Sequence, residues 1–153
     1  MNCVLEAQEI LASRYDVAAD VWSVTSYKEL YMDATDTERW NRLHPGEESR
    51  NSWLEQQLDG RSGPFVLASD YVKALPLSVA RWFPETPVAL GTDGFGRSDS
   101  RETLRHFFEV DAGNVVVATL DDLARRGAVD VGVVQQAIRD FGIDPDAPNP
   151  TTV

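Results

Sequence analysis

The chain has 153 residues, enough for one domain with a single substantial core. Its 25 acidic against 14 basic residues give a net charge of −11, a field that repels phosphate backbones and anionic lipid. No basic cluster is longer than Arg125-Arg126, no apolar run nears the roughly 20 residues of a membrane helix, and Cys3 has no second cysteine to bridge to, so nucleic-acid, membrane-spanning and disulfide-scaffold classes drop out.

The opening residues carry acids where a signal peptide has bases, which with the lone cysteine points to the cytoplasm. Val4, Gln8, Leu11 and Tyr15 form one stripe of a first helix that opens without a cap. Residues 16–19 connect it to a predicted strand over 19–24, rich in Val and Trp. Ser26 and Glu29 read as a capping box opening a second helix. A separate start at Thr37 carries Trp40 and Leu43, and His44-Pro45-Gly46 ends it. A short helix follows over 52–58 and a turn-rich loop over 59–63.

Residues 64–69 form a continuous apolar run, the mark of a buried parallel strand. Asp70 reads as the cap of a helix reaching Phe83, kinked at Pro76. A second apolar strand spans 87–91. A glycine-rich loop over 92–98 leads to a helix with Asp99 as N-cap and Glu102 at the capping-box position. Asp111 caps a helix to Arg126 and Asp130 a last one, stopped by Gly142. The tail, 144–153, carries Pro145, Pro148 and Pro150 and reads as extended or loosely packed. Alternating strands and helices make the chain an α/β domain with a mostly parallel sheet.

The 92–98 loop lies between strand and helix, where open α/β sheets often bind ligands. No Gly-Lys-Ser/Thr follows, so it is no Walker loop. The third glycine of a dinucleotide fingerprint falls on Asp99, whose charge opposes a pyrophosphate. Asp93-Gly94 matches half of the Gly-Asp-Gly that opens a magnesium–thiamine diphosphate motif, but Thr92 replaces the first glycine and valine follows Asn114. The loop therefore reads as a shaped structural or interfacial element, with Asp93, Phe95, Arg97, Asp99 and Arg101 as its candidate contacts; Arg97 and Arg101 keep an anion-binding role open.

His44 and His106 are isolated and read as structural, no zinc spacing exists, and no Gly-x-Ser-x-Gly is present. Cys3 has no basic neighbour in sequence to activate it. The four tryptophans read as core packing, with a partner surface as the alternative for Trp40 and Trp53.

Several strings are more specific. Leu-Gly-Thr-Asp-Gly-Phe-Gly-Arg-Ser-Asp-Ser-Arg-Glu stands at 90–102 and Leu-Arg-His-Phe-Phe-Glu-Val-Asp at 104–111. Asp-Val-Trp-Ser-Val-Thr-Ser-Tyr-Lys-Glu-Leu stands at 20–30, Glu-Arg-Trp-Asn-Arg-Leu-His-Pro at 38–45 and Ala-Ser-Asp-Tyr-Val-Lys at 68–73. In order and spacing they resemble the homodimeric, acetyl-transferring pyruvate dehydrogenases, across nearly the whole chain.

The resemblance implies a transketolase-like third domain, three-layered, over 1–143, followed by the 144–153 tail. It implies that a first strand is missing ahead of Met1, which would leave a neighbouring strand with an open edge. It implies a parent enzyme that uses thiamine diphosphate and magnesium, decarboxylates pyruvate and reductively acetylates the lipoyl group of a dihydrolipoamide acetyltransferase. This domain would then support the homodimer beside the upstream domains and bind no cofactor itself, so no catalytic, cofactor or metal residue is assigned to it. The competing readings are a free-standing module that docks on the complex, a different thiamine enzyme, and a small-molecule enzyme using the loop at 93–101.

Overall fold

The computed structural model describes residues 1–153. Helix α1 (Asn2–Tyr15) buries Ala7 and Leu11 and ends at Asp16, whose φ of 53° is left-handed. Residues 19–24 join no ladder, so the predicted strand there is corrected to a coil. Its β-forming composition is real, yet a strand exists only through a ladder partner. The segment is tied instead by Gln8 Nε2, which donates to the Ala19 carbonyl at 2.5 Å, and by Arg61 bridging to Asp20 at 2.6 Å.

Helix α2 (Tyr27–Leu43) is continuous through Thr37, so the two predicted helices are one. Thr35, just ahead of the expected second start, lies inside the helix, its hydroxyl donating to the Tyr31 carbonyl at 2.8 Å. Ser26 caps it as expected and His44 closes it. Helix α3 (Trp53–Leu58) opens on a reciprocal capping box of Ser52 and Glu55.

Strands β1 (Val66–Ala68) and β2 (Val88–Leu90) form a parallel two-stranded sheet, with Val66 opposite Val88 and Ala68 opposite Leu90. The helix expected between them from Asp70 is shorter and broken. Helix α4 (Ala74–Leu77) is followed by a separate 3-10 turn over Ala80–Trp82. Pro76 explains the late start. It sits in the first turn, where its missing N–H has no bond to lose. Asp70 is not the cap; it meets Arg105 at 3.1 Å.

Helix α5 (Arg101–Phe107) is capped by Ser100, one residue later than Asp99: the Ser100 hydroxyl accepts from Thr103 N at 3.2 Å. Helices α6 (Ala112–Arg125) and α7 (Val131–Asp140) start at Asp111 and Asp130 as the sequence predicts. The tail ends in a 3-10 turn, Pro150–Thr152.

Two apolar clusters hold these elements. In one, α6 packs on α1 and α7 through Val115, Val116, Leu120 and Ala137, and reaches the sheet at Val66, Ala68 and Leu90. In the other, Ala34, Leu54, Leu58, Val79 and Trp82 gather beside Phe65 and Phe83. The chain is thus mixed α/β, mostly helical, around a small parallel sheet. No helix is long and apolar enough to cross a membrane.

Candidate functional site: the loop edge of the sheet

Because β1 and β2 are parallel, the loops that leave both strands meet at one sheet edge. Thr92 N donates to the Tyr71 carbonyl at 2.9 Å, and Ser69 N to Leu90 O at 3.0 Å. The two loops touch so closely at Gly91 that a Cβ there would lie 2.6 Å from Tyr71 O and 2.9 Å from Lys73 N. Glycine is required at 91 for that approach.

Asp93 turns back onto the first loop. Both its carboxylate oxygens accept from Lys73 N at 3.3 Å. Gly94 follows at φ 103°, a left-handed value that favours glycine. Phe95 then stands 81% exposed, the most exposed large apolar side chain of the chain. Tyr71 is 63% exposed on the neighbouring loop.

Arg97 lays its guanidinium 4.1 Å from the centre of the Phe107 ring. With Ser98, Asp99, Thr103 and Leu104 they line an open cleft of about 370 Å³. Asp99 Oδ1 accepts from Ser100 N at 2.6 Å, and Arg101 is exposed in the first turn of α5. The structure therefore brings Asp93, Phe95, Arg97, Asp99 and Arg101 to one rim, but with separate local tasks. They do not converge on a common point.

A thiamine diphosphate–magnesium site does not fit these residues. Asp93 is engaged with Lys73 N, while the Asn114 amide donates to Asp111 Oδ1 at 3.0 Å, at the start of α6. No group of three or more His, Cys, Asp or Glu side chains is placed to hold a metal ion.

The histidines have structural partners. His44 Nδ1 lies 2.8 Å from the Trp40 carbonyl and its ring stacks on Trp40 at 4.3 Å. His106 Nδ1 lies 2.8 Å from Asp111 Oδ2. Cys3 is corrected: it has a basic neighbour, since Arg105 donates to its sulfur at 3.5 Å from far along the chain. Folding, not sequence spacing, creates that contact, so no local signal could have revealed it.

The core reading of the tryptophans holds for Trp82, 6% exposed, and fails for Trp22 and Trp53, which are exposed. Trp22 lies under Arg61 and the half-buried Trp40 under Arg50, whose guanidinium is 3.4 Å from the ring centre. Basic side chains thus shield the indole faces that apolar neighbours would otherwise cover.

The sequence itself matches a known class. Residues 1–111 match the family model of the transketolase-like TK C-terminal domain, and the chain belongs to that family. Within it, the chain is similar to the pyruvate dehydrogenase E1 component. It is 49% identical over 148 residues to that of Pseudomonas aeruginosa, covering 96% of this chain and 17% of the relative. It is 52% identical over 148 residues to that of Escherichia coli K12, covering 96% and 16%. With the Mycolicibacterium smegmatis component the identity is 44% over 140 residues, covering 92% and 15%. The chain corresponds to the C-terminal region of such a component, and spans about one-sixth of the length of these relatives.

Proposed function

We propose that the chain acts as the C-terminal domain of an acetyl-transferring pyruvate dehydrogenase, supporting the assembled enzyme rather than performing its chemistry. The observation that supports this most strongly is identity at about half of all positions, over 96% of the chain, with pyruvate dehydrogenase E1 components. In this reading the whole enzyme is a cytoplasmic homodimer that uses thiamine diphosphate and magnesium held by the upstream domains. It decarboxylates pyruvate and reductively acetylates the lipoyl group of dihydrolipoamide acetyltransferase.

Residues 1–143 form the domain, three-layered about its sheet, and 144–153 its tail. The loop rim with Asp93, Phe95, Arg97, Asp99 and Arg101 is the face that meets the upstream domains or the dimer partner. Exposed Phe95 and Tyr71 on one edge support that choice, since a large aromatic left in water is the typical anchor of an interface.

Calorimetric titration of the isolated chain with thiamine diphosphate and magnesium tests the first part. No heat of binding is expected, and saturable one-to-one uptake overturns the reading. For the rim, Phe95→Asp is expected to weaken capture of the chain by separately produced upstream domains, while leaving its own unfolding transition in place. Unchanged capture removes the rim from the interface.

A further inference from the structure

We propose that the C-terminal turn is a latch that holds the glycine-rich loop in place. The inference goes beyond the interface reading and does not depend on it.

The loop and the tail are far apart in sequence, yet Gly94 is roofed by Pro150. A Cβ built on Gly94 would collide with the Pro150 carbonyl oxygen, and would lie 3.2 Å from the Pro150 carbonyl carbon and 3.4 Å from Thr151 Cα. These are backbone atoms, which do not swing aside as a flexible side chain does. Gly94 is thus constrained twice, by its left-handed φ of 103° and by the tail lying against it.

The part of the tail that makes this contact is itself organised. The Asn149 side chain accepts from Thr151 N at 2.9 Å, and the Asn149 carbonyl accepts from Thr152 N and from the Thr152 hydroxyl, each at 2.9 Å. Pro150 fixes the first position of the 3-10 turn. A segment with little other packing therefore carries its own cap and presents a rigid carbonyl at the point where the loop has no side chain.

Other anchors hold the loop only at its two ends. Asp93 binds Lys73 N on one side and Arg97 stacks on Phe107 on the other. Between them lie Gly94, the exposed Phe95 and Gly96, whose added Cβ would meet nothing within 4 Å. Lifting the tail would leave that span free to open locally while the core stays closed.

The latch is tested by limited trypsin digestion of the 153-residue chain and of a chain ending at Pro148. Cleavage is followed at Arg97 in the loop and at Arg61, in the distant 59–63 loop, as an internal reference. Removing the turn is expected to speed cleavage at Arg97 by about tenfold, with Arg61 unchanged. Gly94→Ala is expected to speed Arg97 cleavage in the full chain and to add less in the shortened one, since the clash partner is then gone. Equal Arg97 rates in the two chains overturn the latch. So does equal acceleration at both sites, which reports general loosening. Fully additive effects of Gly94→Ala and the deletion overturn the Gly94–Pro150 contact as its basis.

Discussion

Trp82 and Glu38 are joined across the second apolar cluster: the indole Nε1 donates to Glu38 Oε1 at 2.8 Å, while Arg81 pairs with Oε2 at 2.5 Å. One carboxylate on α2 thereby fixes two of the three residues of the 3-10 turn that follows α4. The two bonds differ in worth. The Arg81 pair is exposed on both sides and contributes little. The buried indole N–H has no other partner. Glu38→Ala is therefore expected to cost about 1–2 kcal/mol, and Glu38→Gln, which keeps an acceptor, under about 0.5 kcal/mol. Urea unfolding followed by tryptophan fluorescence measures both.

Ser52 is almost fully buried and serves both sides of the α3 capping box. Its hydroxyl accepts from Glu55 N at 3.3 Å, and its own N–H donates to Glu55 Oε2 at 2.8 Å. A six-residue helix has no reserve of internal bonds to offset a lost cap. Ser52→Ala is expected to destabilise the chain by about 1–2 kcal/mol, read from the urea midpoint at unchanged slope.

At Gly91 the strand-to-loop junction leaves no room for a methyl group against Tyr71 O and Lys73 N. Both neighbours are backbone, so relief requires the sheet edge itself to shift. Gly91→Ala is expected to cost about 1–3 kcal/mol and to expose amides 69–73 to faster hydrogen exchange.

Tyr27 packs partly buried beside the second apolar cluster, and that desolvation pushes its phenol above the ordinary value of 10.0. The fold thus favours the neutral phenol. This contribution is complete below the unfolded pKa of about 10 and is lost as pH rises through the higher folded value. Stability is expected to fall as pH climbs past that range, and Tyr27→Phe is expected to flatten that part of the decline. Thermal melts of both chains across alkaline pH compare the slopes.

Much of the fold was legible because its signals are local. Ser26, Asp111 and Asp130 each cap the helix their side chains predict, and the apolar runs at 64–69 and 87–91 hold both strands. The errors came where a non-local contact decides. Residues 19–24 have strand composition but no ladder partner, and Asp70 prefers Arg105 to a capping role. One miss is local: Ser100 takes the cap of α5, while Asp99 bonds to Ser100 N. The glycine-rich loop stands out in the sequence through its glycines and its place between a strand and a helix. Its roof by Pro150 and the approach of Arg105 to Cys3 depend on distant pairs that no spacing encodes.

We propose that this chain supports a decarboxylase without carrying its chemistry. The most direct measurement is pyruvate decarboxylation with thiamine diphosphate and magnesium present, for the chain alone, for separately produced upstream domains, and for the two mixed. No turnover is expected from the chain, and a clear gain when it is added to the upstream domains. Turnover by the chain alone, or upstream domains equally active with and without it, would contradict the claim.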